Sequence, residues 1–367
     1  MNVLIVGAKG FIGKNLFYKL RENKKFNILT LDKTSNENEI ENKVCTAELI
    51  FLIFGVNKEK LPKYRFEDNY NFTNKICSIL KRNNKNTSIV FTSSIQVNQN
   101  NPYGKSKLKA EKILLKYKKD TKAKIMIYRL PNIFGKWSKP HHNSVVATFC
   151  FNITRNKKIN ISNNNKVIKL LYIDDLIEDF IKRIKLKKWN KFIKILKTYD
   201  ITLLKLANLI HSFNTRDKTY LTNDVSRGLV KKLYSTFVSF FPNNKFTYKI
   251  TKHSDNRGSF VEFLKNEQIG QISFFSILPK KTRGNHFHHT KSEKFIVIKG
   301  KVRFNFTNII NKKEFSIFSD ENKNLVINTI PGWAHNMINL SSETSIILVW
   351  SNEIFDKNKS DTFFYKL

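Results

Sequence analysis

Short apolar runs alternate with amphipathic segments in the first part of the chain. The runs that predict buried strands are residues 2–6, 27–31, 49–54, 88–92 and 125–129. Residues 15–21 and 69–81 have helical spacing between these runs. Because strands alternate with helices, we expect a parallel sheet with right-handed crossovers.

The pattern changes near residue 246, where short β-type runs follow one another without a long helical segment between them. These runs are residues 271–278, 294–298, 302–306, 314–317, 325–328 and 345–350. They predict an all-β barrel or jelly roll. A polar break at residues 241–245 separates the two patterns. The predicted fold class is therefore α/β, with a Rossmann-type domain at residues 1–245 followed by an all-β domain at residues 246–367.

Composition supports two ordinary globular domains. The chain has 367 residues, of which 41% are hydrophobic and 13% aromatic, and this length is too great for one ordinary core. The cysteines Cys45, Cys77 and Cys150 lie far apart without a CxxC spacing, which indicates reduced thiols in a cytoplasmic protein. We expect no signal peptide and no membrane span, because no apolar run approaches the roughly 20 residues that a span needs.

The net charge of +37 is weak evidence for nucleic-acid binding. Lysine is dispersed along the whole chain beside heavy Asn and Ile usage, as a genome-wide codon bias would produce. We therefore expect no nucleic-acid partner, although a basic protein that binds NADP and nucleic acid stays an alternative. The positive field favours anionic substrates such as a pyrophosphate-linked sugar nucleotide.

Gly7, Gly10 and Gly13 have the spacing of a dinucleotide-binding turn between a first strand and a first helix. Gly7 permits the tight turn, Gly10 lets backbone N–H groups approach a pyrophosphate, and Gly13 lets the helix pack closely. Asp32 follows at the end of the second strand, where a carboxylate binds the ribose 2′-hydroxyl of NAD, whereas Lys33 can neutralise the 2′-phosphate of NADP. The predicted cofactor contacts are Gly7, Lys9, Gly10, Phe11, Ile12, Gly13, Asp32, Lys33, Gly55, Tyr103 and Lys107.

Tyr103 and Lys107 form a Tyr-x-x-x-Lys pair, which shares one face of a helix. A nearby ammonium stabilises phenolate, so we expect a lowered pKa that makes Tyr103 a proton donor near neutral pH. Ser94, just beyond the strand at residues 88–92, can hold a substrate carbonyl oxygen. Because Ser94 lies only nine residues before Tyr103, Ser93 and Thr92 stay open in its place.

Residues 1–245 resemble the extended short-chain dehydrogenase/reductase family, whose members act mainly on nucleotide sugars. Further matches are residues 69–73, 129–135 and 172–175. In this family the segment like residues 129–135 lines the junction of nicotinamide and sugar. The resemblance therefore implies that Asn132 contacts the substrate.

Three imidazoles and a carboxylate lie within the eight residues from His286 to Glu293. Side chains of this kind at this density suit a divalent metal. His286 and His288 are two positions apart and face the same way on a regular strand, with His289 facing the other way. Four of the eight histidines of the chain fall in this stretch or at His335.

These residues resemble the two metal-binding motifs of the cupin family, His286-x-His288-x4-Glu293-x6-Gly300 and Gly332-x-x-His335-x3-Asn339. The resemblance implies that the metal ligands are His286, His288, Glu293 and His335. The match departs from the family at Lys280, where the first motif has glycine, and at Ile330, where the second has proline. Zinc is the favoured ion, with iron, manganese and nickel open.

Taken end to end, the chain resembles a family of capsular-polysaccharide enzymes that act on UDP-2-acetamido-2,6-dideoxy-hexos-4-ulose on the route to UDP-N-acetyl-L-fucosamine. The stretches that carry this resemblance are residues 7–13, 101–107, 134–137, 143–150, 233–236 and 283–295, and they add Asn143 as a substrate contact. The resemblance implies a homodimer formed through the cupin domain, which epimerises carbon 3. The other domain then reduces the 4-keto group with NADPH, with NADH left open by Asp32.

The catalytic residues expected are Ser94, Tyr103, Lys107 and His289. His289 or a histidine that does not bind metal is the candidate base of the epimerisation. Two further alternatives stay open for the all-β domain. The first is a metal-stabilised dimerisation module of a reductase, and the second is an iron oxygenase.

Overall fold

The computed structural model describes residues 1–32, 34–57, 65–161, 163–186, 189–194, 197–215, 225–249, 252–255, 258–261, 271–353, 358 and 360–367. By its backbone packing the chain divides into two units. Unit 1 comprises residues 1–144 and 168–200, and unit 2 comprises residues 145–167 and 201–367. The division at residues 245 and 246 that the sequence favours stays a prediction.

Unit 1 is built on a five-stranded parallel sheet with the order β2-β1-β3-β4-β5, and a smaller sheet has the order β6-β7-β8. The strands are β1 (Asn2–Val6), β2 (Asn27–Leu31), β3 (Leu49–Leu52), β4 (Ser88–Ser94), β5 (Ile125–Leu130), β6 (Asn132–Phe134), β7 (Val167–Tyr172) and β8 (Tyr199–Thr202). The helices are α1 (Phe11–Arg21), α2 (Glu37–Thr46), α3 (Asp68–Arg82), α4 (Pro102–Thr121) and α6 (Ile173–Lys185).

The central strands of unit 1 are apolar on both faces because helices cover both. All four residues of β3 are buried, as are four of the five residues of β1, and this is the pattern of a parallel sheet. Asn101 caps α4 by accepting a hydrogen bond from the N–H of Gly104 at 2.7 Å, and Pro102 occupies its first turn. This start fixes the face on which Tyr103 and Lys107 lie.

Unit 2 contains two antiparallel five-stranded sheets, with the orders β12-β19-β14-β17-β9 and β16-β15-β18-β13-β20. The strands are β9 (Thr247–Lys249), β10 (Lys252–Asp255), β11 (Gly258–Val261), β12 (Gln271–Ile277), β13 (Thr282–Phe287), β14 (Glu293–Lys299), β15 (Lys301–Asn308), β16 (Glu314–Asp320), β17 (Leu325–Asn328), β18 (Trp333–Asn339), β19 (Ser345–Ser351) and β20 (Phe363–Phe364). Its helices are α5 (Val145–Ile153), α7 (Leu203–Ser212) and α8 (Gly228–Val238).

The predicted fold class is confirmed: a Rossmann-type parallel sheet comes first, and antiparallel sheets in a cupin-like arrangement follow. Aromatic rings fill part of the all-β core, where Phe246 packs edge-on against Phe306, Phe315 and Trp333 at centroid distances of 4.9 to 5.8 Å. None of the helices in the described ranges is long and apolar enough to cross a membrane.

The structure differs from the sequence pattern at several strand ends. β3 ends at Leu52, two residues earlier than predicted, and β4 continues to Ser94, two residues later. β13 and β18 have no counterpart among the predicted runs, because histidine, asparagine and glycine interrupt their apolar pattern. Three of the four predicted metal ligands lie on or beside these strands. β13 carries His286 and ends just before His288, and β18 carries His335.

Candidate functional site

The glycine-rich turn of unit 1 presents a helix N-terminus. Gly7 has a φ of +93°, and a Cβ on Gly13 would lie 2.1 Å from the carbonyl oxygen of Gly7, so α1 starts against the turn only because Gly13 lacks a side chain. Gly10 caps α1 without a side-chain hydrogen bond, and no acidic residue occupies the first turn. The N–H groups at Phe11 and Ile12 and the positive end of the helix dipole therefore suit a pyrophosphate.

Asp32, at the end of β2, forms an ion pair with Lys9 from the glycine-rich turn. The carboxylate also accepts hydrogen bonds from the N–H and the hydroxyl of Thr34, at 2.8 and 2.6 Å. The hydrogen bond from Lys9, then those from Thr34, hold the pKa of Asp32 well below its usual range. Lys9 is thus the basic residue beside the predicted ribose-binding carboxylate. The predicted contact Lys33 lies outside the described residues.

Tyr103 and Ser94 come together at the carboxyl end of β4. The phenol of Tyr103 lies within hydrogen-bond reach of Ser94. Burial raises the pKa of Tyr103, and the bond to Ser94 opposes the rise only in part. The predicted lowering of this pKa by Lys107 is wrong in this structure, because the ammonium of Lys107 is engaged elsewhere.

Lys107 is 3% exposed, and backbone carbonyls hold its ammonium. Its Nζ donates to the carbonyl oxygens of Thr92 at 3.1 Å and Phe54 at 3.2 Å, and lies 4.9 Å from the ring centroid of Phe91. Burial lowers the pKa of Lys107 to about 8, against the opposing effect of the Glu111 carboxylate. A Cβ on Gly55 would lie 2.9 Å from this Nζ, so the glycine leaves room for the ammonium.

The structure separates Ser94 from the two residues that the sequence left open in its place. The hydroxyl of Ser93 donates to Glu111 at 2.5 Å, and Glu111 in turn accepts two hydrogen bonds from Arg129 at 2.7 and 3.0 Å. The hydroxyl of Thr92 points to the carbonyl oxygen of Leu52 at 3.4 Å. Ser94 is the one of the three beside Tyr103, and its role in holding a substrate carbonyl stays a prediction.

The two predicted substrate contacts of unit 1 are both exposed. The side-chain amide of Asn132 donates to the carbonyl oxygen of Lys169 at 3.3 Å, and that of Asn143 donates to the carbonyl oxygen of Asn57 at 3.1 Å. Each side chain is therefore tied to backbone on its amide nitrogen and offers its amide oxygen. Their part in substrate binding stays a prediction.

In unit 2 the four predicted metal ligands converge. One ligand atom from each of His286, His288, Glu293 and His335 lies within 4.8 Å of every other. His286 and His335 are paired residues on β13 and β18, whereas Glu293 begins β14 in the other sheet. Strand β13 ends at Phe287, so His288 lies just beyond it and not on a regular strand as predicted.

The close approach of β13 to β18 depends on Gly284. Its φ is +100°, and a Cβ there would lie 2.8 Å from the carbonyl oxygen of His335. The pairing is irregular between Gly284 and His286, where Asn285 has a φ of +59°. This bulge turns the ring of His286 toward that of His335, at a centroid distance of 4.7 Å.

The orientation of these side chains calls for a positive charge between them. His288 Nδ1 lies 2.5 Å from the carbonyl oxygen of Asp361, which can only accept, so Nδ1 carries the proton. Its Nε2 then faces Oε2 of Glu293 at 3.1 Å, with Nε2 of His335 at 3.5 Å from the same oxygen. Lone pairs this close repel unless a proton or a metal ion lies between them. This donor set and spacing fit a divalent metal.

Burial keeps two of these imidazoles in the form that binds metals. It lowers the pKa of His286 to about 3, with His335 and His288 adding to the effect, and it also lowers the pKa of His335. Burial acts to raise the pKa of Glu293, but His288 and Lys291 outweigh it and the pKa falls well below the usual value. The carboxylate of Glu293 and the neutral imidazoles of His286 and His335 are suitable metal ligands.

A cavity of about 290 Å³ opens onto this cluster. It is lined by Phe275, Arg283, Gly284, His286, Glu293, Phe295, Met337 and Val349. The Arg283 guanidinium lies 5.7 Å from the ring centroid of Phe275 and gives the cavity a cation that sequence reasoning missed. Two of the predicted ligands thus face a space that can admit a small polar molecule.

His289 is not among the residues that line this cavity. Its ring packs 4.9 Å from that of Phe363 and 5.3 Å from that of Phe287, on the side of β13 opposite to His286 and His288. Its backbone N–H donates to Asp361 at 3.0 Å. The ring of His289 thus faces away from the rings of His286 and His288, which is the orientation the sequence predicted. The geometry lends no support to His289 as a base acting in this cavity.

Sequence reasoning also missed Asp361, which contacts the loop of residues 288–292. No motif spacing could have revealed it, because it lies 72 residues beyond His289. The buried carboxylate of Glu111 was missed for a similar reason. It sits on the same helix as Tyr103, but an isolated Glu on a helix has no distinguishing signal.

Two family models match the chain. The NAD dependent epimerase/dehydratase family matches residues 3–188, and the polysaccharide biosynthesis C-terminal domain matches residues 253–363. A UDP-2-acetamido-2,6-beta-L-arabino-hexul-4-ose reductase from Pseudomonas aeruginosa is 38% identical over 364 residues, covering 99% of this chain and 98% of that protein. The similarity thus includes both units and both predicted sites.

Solved structures also resemble this chain. The capsular polysaccharide assembling protein CapF from Staphylococcus aureus is 35% identical, with a TM-score of 0.66 and full coverage of both chains (100% of each). A UDP-glucose 4-epimerase from Thermotoga maritima is 19% identical with a TM-score of 0.51, covering 59% of this chain and 84% of that one. The second likeness shows a shared fold alone.

The buried Lys107 should make stability depend on pH. Its folded pKa of about 8 is below the ordinary 10.5, so the folded state binds fewer protons than the unfolded state between these values. The free energy of unfolding should therefore gain a contribution of about 3 kcal/mol as the pH rises through this window. We expect Lys107→Met to lack this gain in urea unfolding at about pH 7 and about pH 10. Lys105→Met, an exposed change on the same helix, should keep it, and equal pH dependence in both variants would contradict the prediction.

Removing one predicted ligand should release the metal. We expect His335→Ala and His288→Ala to lose most of the zinc that the unchanged protein retains through dialysis, because three remaining ligands hold the ion far less tightly. Elemental analysis of the dialysed proteins measures the zinc content. His211→Ala, an exposed histidine on α7, is the matched control and should retain the metal. Unchanged zinc in both ligand variants would refute the assignment.

Proposed function

We infer what this chain does from the family to which it belongs: it is a member of the NAD dependent epimerase/dehydratase family, in the branch that also carries a polysaccharide biosynthesis C-terminal domain. It is accordingly a nicotinamide-dependent oxidoreductase. We propose that it reduces the 4-keto group of a UDP-2-acetamido-2,6-dideoxy-hexose with NADPH, after unit 2 has epimerised carbon 3. The product is the L-talo sugar nucleotide, on the route to UDP-N-acetyl-L-fucosamine for a surface polysaccharide.

The observation that carries this proposal is the presence of two chemically different sites in one chain. Ser94, Tyr103 and Lys107 cluster at the carboxyl end of β4 beside the glycine-rich turn, where a carbonyl can be reduced. The His/Glu cluster of unit 2 opens onto a cavity and suits proton chemistry next to a carbonyl. A ketone whose neighbouring carbon is first inverted and then trapped by reduction uses both sites.

In unit 1 the protein supplies orientation and a proton. The N-terminus of α1 binds the cofactor pyrophosphate, and the Asp32–Lys9 pair meets the adenosine ribose. NADPH, when bound, supplies the hydride for carbon 4. Ser94 holds the carbonyl oxygen, and Tyr103 donates its phenolic proton to that oxygen.

Lys9 supports NADPH as the proposed cofactor. Its ammonium can bind a 2′-phosphate from the position it takes beside Asp32, which supports NADPH. NADH is the alternative, because the Asp32 carboxylate can accept from a free 2′-hydroxyl. A comparison of kcat/KM for the two cofactors separates them.

In unit 2 the residues create a polar pocket that suits enolisation of a ketone. His286, His288, Glu293 and His335 would hold the metal, for which zinc is the favoured ion. When bound, the metal supplies Lewis-acid polarisation of a substrate carbonyl. Arg283 offers a cation at the cavity wall for an anionic part of the substrate. A base takes the proton from carbon 3 and the enolate is reprotonated on the opposite face, so one proton leaves and one returns and the step is neutral overall.

Exchange of deuterium into carbon 3 of the keto sugar tests the epimerase activity. With the keto sugar in D2O and no NADPH, we expect deuterium at carbon 3, and chelation of the metal should suppress it. Tyr103→Phe should lower NADPH oxidation about a hundredfold or more while leaving this exchange intact. Mass spectrometry and NADPH absorbance give the two readouts.

Each outcome separates the alternatives left by the sequence. Reduction without label would mean a reductase whose unit 2 only supports assembly. Loss of both activities in Tyr103→Phe would refute separable sites. Oxygen consumption with ferrous iron would instead favour an oxygenase.

We also propose a homodimer formed through unit 2. β12 lies at the edge of its sheet, and its residues Ile272 and Phe274 are 47% and 74% exposed. An apolar edge strand of this kind favours pairing with a second copy. Sedimentation equilibrium of the full chain should give twice the 43.1 kDa chain mass, with Phe274→Lys shifting the protein toward monomer. A monomeric unchanged protein would contradict this proposal.

A further inference from the structure

The carboxylate of Asp361 gathers donors from the loop of residues 288–292. It accepts hydrogen bonds from the N–H groups of His289 at 3.0 Å, Thr290 at 2.6 Å and Lys291 at 2.6 Å, and from the Thr290 hydroxyl at 2.8 Å. Four donors on one ionised group form a set of charge-assisted bonds. A single side chain thus fixes three successive backbone positions between two of the predicted metal ligands.

The main chain of the same residue orients a ligand directly. The carbonyl oxygen of Asp361 accepts from Nδ1 of His288 at 2.5 Å, which leaves Nε2 to face Glu293. A carbonyl partner on the second ring nitrogen fixes both the tautomer and the ring plane of a histidine ligand. Because the carboxylate anchors Asp361 to the loop, its carbonyl is held in place relative to His288.

Neighbouring contacts keep this segment in register. β20 pairs with β13, so that Phe364 lies opposite His286 and Phe363 opposite Phe287. The N–H of Tyr365 donates to the carbonyl oxygen of Asn285 at 2.7 Å. Lys291 extends the link, since its Nζ lies 3.1 Å from the Thr362 hydroxyl and 3.2 Å from Oε1 of Glu293.

We propose that Asp361 is a positioning residue of the His286/His288/Glu293/His335 centre, holding the loop of residues 288–292 with its carboxylate and the ring of His288 with its carbonyl oxygen. The inference rests on the metal centre of the proposed function. It assigns a role to a residue outside both metal-binding motifs. Asp361 is not one of the four candidate ligands and acts through its contacts with His288 and the loop.

Zinc affinity of the full chain, measured by competition with a chromogenic chelator, tests this role. Asp361→Asn removes the negative charge and replaces one acceptor oxygen by an N–H2 donor that faces the loop N–H groups. We expect its zinc affinity to fall about tenfold to a hundredfold, as for loss of an outer partner of a ligand. Glu343→Gln is the matched control, because it removes a carboxylate from an exposed ion pair with Lys299, and it should keep the affinity of the unchanged protein.

A second readout distinguishes positioning from a general loss of stability. The visible absorption of the cobalt-substituted protein reports ligand geometry, and we expect its band positions and intensities to change in Asp361→Asn but not in Glu343→Gln. A merely structural role would lower the thermal midpoint of the metal-free protein and leave the cobalt spectrum unchanged, which would overturn the inference.

If Asp361→Asn does not fold, Thr290→Val decides, because it removes one of the four donors and leaves the carboxylate in place. We expect this variant to lose zinc affinity by a few fold, because one of the four donors is gone, and an unchanged affinity overturns the inference. Failure of the unchanged protein to bind zinc or cobalt would instead refute the metal centre of the proposed function. Tight binding by the unchanged protein with equal affinity in Asp361→Asn refutes only the inference about Asp361.

Discussion

Lone pairs that converge inside an apolar barrel are the constraint on which unit 2 depends. Oε2 of Glu293 lies 3.1 and 3.5 Å from the Nε2 atoms of His288 and His335, and lone pairs this close repel unless a proton or a metal ion lies between them. Three backbone features produce it: the glycine approach of β13 to β18, the bulge before His286, and the start of β14 at Glu293 in the opposite sheet. The strands are thus arranged to hold a positive charge, and their irregularities are part of the site.

In unit 1 the buried charged group is a cation, the ammonium of Lys107. The ammonium of Lys107 has no carboxylate in direct contact among the described residues and is held by two carbonyl oxygens and aromatic faces. Desolvation therefore dominates, and its pKa falls to about 8. The nearby carboxylate of Glu111 is paired with the guanidinium of Arg129 and also accepts a hydrogen bond from the hydroxyl of Ser93. Of Thr92, Ser93 and Ser94, this division leaves Ser94 beside the phenol of Tyr103.

The sequence predicted those features that depend on local spacing. The apolar runs located the parallel sheet, the glycine spacing located the nucleotide turn, and the histidine spacing located four side chains that the structure brings together. It failed where long-range packing decides. The separation of Ser93 from Ser94, the raised pKa of Tyr103 and the attachment of Asp361 to the loop of residues 288–292 all arise from contacts between distant segments. The apolar alternation by which strands are recognised did not reveal β13 and β18, because polar ligands and glycine interrupt it, and at β13 only the spacing of His286 and His288 indicated a strand.

The loop of residues 288–292 is also held from the helical side of unit 2. The hydroxyl of Ser235, on α8, donates to the carbonyl oxygen of Thr290 at 2.6 Å, and the N–H of Ser292 donates to the buried Asn352 at 2.9 Å. The polysaccharide biosynthesis domain that matches this chain starts only at residue 253, beyond this helix. A fragment cut at the bounds of this match would therefore contain all four predicted metal ligands and yet lack one of the supports of the loop between them. In this chain the segment that matches the domain family is shorter than the segment that holds the predicted ligands in place.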